Sequence, residues 1–113
     1  FVDDVEKLPI EHYGPKIEKH PLFPNRINVE FVQIVNRDSL RMRVWERGVG
    51  ETLACGTGAC ASVVAGNILG KTDRECTVQL LGGELRIKYD EDGRIFMTGP
   101  AETVYEGVIK LDL

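Results

Sequence analysis

The sequence has no apolar run approaching the about 20 residues that a membrane-crossing helix needs, and its N-terminus lacks the charged-then-apolar layout of a secretory signal. A cytoplasmic protein with no membrane partner is therefore the expectation. There is no Lys/Arg cluster either. The 14 basic and 18 acidic residues are spread along the chain to a net charge of −4, which argues against a nucleic-acid partner. Cysteine is scarce: three residues, an odd number, with no CxxC and no Cys/His pair at zinc spacing, so neither a disulfide framework nor a structural metal is expected. Cys55, Cys60 and Cys76 should be reduced. The two histidines, His12 and His20, lie in a polar stretch without a carboxylate or cysteine pattern around them and read as surface residues.

What is present fits one α+β domain spanning residues 1–113. A hydrophobic content of 42% is enough to build a core without metals or bridges. The opening Phe1-Val2-Asp3-Asp4 reads as the tail of a strand that begins elsewhere, so a piece of something longer is expected.

Along the chain, Pro9 to Lys19 starts as a helix but meets Gly14-Pro15, which predicts a short, broken one. Ile27 to Val35 is β-branched and aromatic, Asn36 to Ser39 supplies a turn, and Leu40 to Glu46 alternates as LRMRVWE, predicting two strands. Gly48 to Gly58 holds four glycines and two threonines, too flexible for regular structure. It leads into Ala59 to Leu69, apolar or small on nearly every side, which predicts a helix surrounded by protein, with Ala61 and Gly66 admitting close strands. Strands follow at Cys76 to Leu81, Gly83 to Tyr89, Arg94 to Thr98 and Thr103 to Leu111, with a hairpin turn at Asp92-Gly93. The expected fold is a mostly antiparallel, curved sheet wrapped around one central buried helix.

Chemistry concentrates in ERGVGETLACGTGACA, Glu46 to Ala61. Cys55 followed by Gly56-Thr57-Gly58 and a helix puts a thiol where unpaired backbone N–H groups and the positive end of the helix dipole converge. Such a setting makes thiolate available, and the same N–H groups can hold a carboxylate or phosphate. A structural alternative stands beside this: Gly-Thr-Gly caps a helix and Cys55 is an inert, packed thiol. Spacing alone leaves both open. Nucleotide binding is disfavoured because the Gly-Lys-Ser/Thr ending of a P-loop is missing. Cys60, turned about 140° from Cys55 on a helix of 3.6 residues per turn, cannot share its ligand and is assigned to the core, as is Cys76. Glu46 and Arg47 end a strand where side chains can reach the site.

These residues resemble the second catalytic-cysteine motif of the diaminopimelate epimerase family, and PNRINVEFVQIVNRDSLRMRVWERG, Pro24 to Gly48, resembles the segment preceding it. The likeness implies a two-domain epimerase that works without pyridoxal phosphate or any other cofactor. One cysteine from each domain flanks the α-carbon of a small amino-acid substrate, because inversion without a cofactor requires a base on one face and an acid on the other. On that reading the chain is the C-terminal half alone, its partner the missing N-terminal domain, with a homodimer possible for the whole. The resemblance makes Cys55 the catalytic acid or base and gives Gly56 and Thr57 backbone donors for a substrate carboxylate. It assigns Asn28, Glu46 and Arg47 to substrate contact, and to Glu46 also the tuning of the cysteines' protonation. The family's CGNG-like loop and GNPH stretch are not in these residues, so the fragment alone is expected to be inactive. Proline racemase-like enzymes share the logic, but an Asp-Arg-Ser-Pro-like run is expected before their cysteine, where Glu51-Thr52-Leu53-Ala54 stands here. A non-catalytic small-anion binding module is the other alternative. A thiol hydrolase ranks last for want of a histidine near the motif.

Overall fold

Period-two alternation in SLRMRVWE sends Leu40, Met42 and Val44 to one face and Arg41, Arg43 and Trp45 to the other, and this segment is the hub of the fold. In the computed structural model, which describes all 113 residues, the elements run α1 (Ile10–Glu18), β1 (Val29–Asn36), β2 (Ser39–Glu46), β3 (Gly50–Thr52), α2 (Gly56–Ile68), β4 (Glu75–Leu80), β5 (Gly83–Tyr89) and β6 (Ile95–Thr98). The strands form one sheet in the order β1-β2-β4-β5-β6, with β3 attached to β2. Every pairing is antiparallel except β2 with β4, which α2 joins as a crossover. The mostly antiparallel α+β architecture expected from sequence is what forms.

One edge of β2 is divided. Ser39 to Arg41 pair with β4, whereas Val44 to Glu46 pair with β3, so the chain leaves the sheet between the two ladders and enters α2 there. The core lies between the sheet and α2: Val32, Leu40, Met42, Val44, Val78 and Ile87 surround Ala59 and Val63. A smaller cluster on the opposite face packs Ile10 of α1 on Val29 and Phe31, with Trp45 beside them. No helix is long and apolar enough to cross a membrane.

Four sequence expectations are corrected. α1 is continuous through Pro15. Pro15 forfeits one N–H bond, while Gly14 lets the helix lie against the Trp45 ring, where a Cβ would come within 2.5 Å of two ring carbons. The glycine loop contains a short strand, β3, because Val44 to Glu46 offer it a free edge. The stretch Thr103 to Leu111 forms no strand and is exposed, since no edge in this chain pairs with it. Finally, α2 is buried on one side only: Gly58, Ala59, Ser62, Val63 and Gly66 face the sheet, while Ala61 and Ala65 are exposed and Ile68 is 71% exposed. Gly66 admits Thr72 of the following loop rather than a strand, and Ala61 admits no strand.

Candidate active site

Cys55 is the N-cap residue of α2, in extended conformation, and its carbonyl accepts the first helical bond, from Ala59 N–H at 3.0 Å. The N–H groups of Gly56, Thr57 and Gly58 therefore precede the helical hydrogen-bond ladder, and no acidic side chain of the first turn competes for them. The Cys55 side chain makes no capping bond; its Sγ lies 3.6 Å from Thr57 Oγ1, and it is partly exposed. A thiol at this point can meet a ligand whose anionic group rests on the helix start.

The two other cysteines differ. Burial pushes the Cys60 thiol above the usual range, and the neighbouring Cys55 adds to the rise. Cys60 packs on the core from an intermediate position at the rim of an apolar groove, so its assignment to the core holds only in part. Cys76 is fully in the core, and burial raises its thiol as well. Both stay protonated near neutrality.

Around the helix start the strands supply polar groups. Even-numbered residues of β1 and β2 face α2, so beyond the apolar Val32 and Val44 come two inward carboxylates, Glu30 and Glu46. Thr52 Oγ1 donates to Glu46 Oε1 at 3.0 Å, tying that carboxylate to the loop that delivers Cys55. The loop is held from the other side by Gly82 N–H, which donates to Leu53 O at 2.8 Å. Asn28 Oδ1 accepts from Arg47 N–H at 2.8 Å, so these two site residues meet directly. Asn28, Arg47, Thr57 and Gly58 share an open pocket of ≈ 460 Å³ with Arg26 and Glu30. The pocket combines two cations, one acid and helix N–H groups, a set complementary to a zwitterionic head group carrying a carboxylate and an ammonium.

All six residues singled out in the sequence, Asn28, Glu46, Arg47, Cys55, Gly56 and Thr57, thus lie on the β1–β2 end of the sheet or the α2 start. Three participants were missed. Glu30 packs on the first turn of α2, where a Cβ at Gly58 would come within 2.5 Å of its Oε1. Burial pushes its carboxyl above the usual range, with the Glu46 charge adding to it. Its signal was an acid inside the apolar run VEFVQIV. Arg26 takes a left-handed backbone with φ 60°, which nothing in its residue type announced. Glu18 is the third. No group of three or more His, Cys, Asp or Glu side chains comes together to hold a metal ion.

The family model described as diaminopimelate epimerase matches residues 1–104. A diaminopimelate epimerase of Nostoc punctiforme is 62% identical over 108 residues, covering 95% of this chain and 39% of that protein. The one from Moorella thermoacetica is 55% identical over 113 residues, covering 99% of this chain and 40% of that protein. This chain accordingly spans about two fifths of the length of these relatives. Among solved structures, a Bacillus anthracis phenazine biosynthesis protein of the PhzF family superposes with a TM-score of 0.59 at 24% identity, over 83% of this chain and 31% of that one. At that identity the likeness is one of fold.

Proposed function

Because this chain belongs to the diaminopimelate epimerase family, we propose that it is the C-terminal half of a two-domain cytoplasmic isomerase that interconverts LL- and meso-diaminopimelate for lysine and peptidoglycan precursor synthesis. Cys55 acts on one face of the α-carbon and a cysteine of the preceding domain on the other. In one direction the Cys55 thiolate removes the α-proton, the electron pair stays on the α-carbon and is delocalised into its carboxylate, and the opposing thiol returns a proton to the other face. In the reverse direction the roles exchange. No cofactor is required, because the N–H groups of Gly56 and Thr57 stabilise the charge that builds on the carboxylate. Asn28, Glu46 and Arg47 hold the rest of the substrate.

The observation that carries this reading is the partly exposed Cys55 at the N-cap of α2, beside unpaired N–H groups and a pocket of mixed charge. Its test is α-proton exchange into LL-diaminopimelate in D2O, followed by NMR, for the full-length protein and for the 113-residue fragment. Exchange with conversion to the meso form by the full-length protein, and no conversion by the fragment, is expected, because the fragment offers no acid on the second face. Turnover by the fragment would overturn the two-half arrangement, and exchange into L-proline alone would move the protein to the racemase branch.

Glu46 is the residue that tunes the cysteines' protonation. In the full-length enzyme Glu46→Gln therefore changes the pH profile of kcat/KM. An unchanged profile would take this role away from Glu46.

A further inference from the structure

Glu18, the last residue of α1, is a carboxylate only 4% exposed, and nothing in the epimerisation chemistry uses it. A buried charge is costly unless it is well bonded, so its partners identify what it is for. Its Oε1 accepts from Trp45 Nε1–H at 3.2 Å and from Gly48 N–H at 3.3 Å, and its Oε2 lies 4.0 Å from an Arg26 Nη1. Of these, Arg26 lines the pocket itself, and Gly48 directly follows Arg47, which also lines it. Trp45 precedes Glu46, the last residue of β2, and Arg47, the first of the turn. Gly48, with φ 73°, is the turn residue immediately after Arg47. Arg26 lines the pocket from a left-handed backbone.

The turn that carries Arg47 is gripped at two successive amides. Asn28 takes the N–H of Arg47 and Glu18 takes the N–H of Gly48. The turn closes on itself through Val49 N–H to Glu46 O at 3.1 Å at the tip of the β2–β3 ladder, and beyond that ladder those two side chains are what tie its amides to the neighbouring elements. Asn28 comes from the pocket itself. Glu18 reaches the turn from α1, on the opposite face of the sheet from α2 and Cys55.

We propose that Glu18 is a positioning residue for substrate recognition: through Gly48 and Arg26 its carboxylate holds the two arginines of the pocket, Arg47 and Arg26, in the spacing that grips the substrate. The inference rests on the epimerase reading for the identity of that substrate. Glu18 touches no reacting atom, so its loss weakens binding in the ground and transition states alike, which raises KM and leaves kcat largely unchanged. A merely structural role would lower the melting temperature and the active fraction, reducing apparent kcat at constant KM.

The experiment compares wild type, Glu18→Gln and Arg26→Gln in the full-length enzyme, measuring kcat and KM for LL-diaminopimelate, the melting temperature, and exchange of the Gly48 amide by NMR. Glu18→Gln removes the charge that strengthens the Gly48 bond and draws in Arg26, a change expected to raise KM about tenfold, with faster Gly48 exchange. Arg26→Gln alters a half-exposed side chain that the fold does not need; it carries the test if Glu18→Gln fails to fold, and should raise KM to a smaller extent. Wild-type KM in the folded variants overturns the inference. If the wild-type enzyme itself leaves diaminopimelate untouched, the epimerase reading has failed; Gly48 exchange then decides the role of Glu18 separately, and an unchanged rate in Glu18→Gln overturns it.

Discussion

Replacing Cys55 by alanine in the full-length enzyme should reduce the epimerisation of diaminopimelate by at least about a thousandfold while leaving the fold intact. General acid–base groups contribute about 10²- to 10⁴-fold, and here the same side chain must act as base in one direction and acid in the other, so no residual pathway replaces it. Stability should change by less than about 1 kcal/mol. The side chain makes no bond to the helix N–H groups, and its thiol is only partly buried, so alanine forfeits little beyond a small contact. Serine at the same position should restore little, because its hydroxyl ionises far less readily than a thiol. The measurement is conversion of the LL- to the meso-isomer followed by NMR, with circular dichroism as the control for folding. Activity within tenfold of wild type would show Cys55 to be a packed helix residue after all. Cys60 cannot substitute: it lies on α2 facing an apolar groove, and burial keeps its thiol protonated.

The second large effect is one of stability, at Gly14. Helix propensity alone says that Gly14→Ala should stabilise α1 by about 1 kcal/mol. The packing says the opposite. A Cβ would stand 2.5 Å from both Trp45 Cδ2 and Cγ and 2.9 Å from its Cβ. These atoms sit at the root of the side chain on β2, and the indole N–H is bonded to Glu18, so the ring cannot swing aside cheaply. Overpacking of this kind costs about 1–3 kcal/mol, occasionally more. The net expectation is destabilisation by about 2 kcal/mol, read as a fall in the denaturation midpoint of the full-length protein. A rise in the midpoint would mean that α1 does not lie as close to β2 as described.

The contrast between these two positions explains what the sequence could convey. Cys55 was legible because its signal is local: a thiol, three small residues and an apolar run, all consecutive, fix an N-cap and a helix start. The strand at Gly83–Tyr89 was legible for the same reason, bounded by a Gly-Gly turn and an Asp-Gly turn. Gly14-Pro15 misled because its reason lies in Trp45, 31 positions away in the numbering, and no local pattern announces a tryptophan ring under a helix. Thr103 to Leu111 misled in the opposite sense. Its composition suits a strand, but a strand exists only where it is paired, and these residues lie against neither edge of the sheet, β1 or β6. The parallel pairing of β2 with β4 left no trace in the residues of either strand. Glu30 and Glu18 belong to the same class: acids whose meaning is set by which face they take and what lies opposite.

The divided edge of β2 also governs the order in which the molecule can be assembled. The β1–β2, β4–β5 and β5–β6 pairings are hairpins, each closing a short loop at small entropic cost. The β2–β4 ladder spans the whole of β3 and α2 and brings no reward until that long loop has closed, which makes it the slow, high-contact-order event. Seating α2 against Leu40, Val78 and Ile87 requires both halves of the sheet, so the helix start that carries Cys55 gains its environment at that same late event. A partly folded chain would then possess its hairpins and lack its thiol site. Binding competence becomes a report of complete folding rather than of secondary structure.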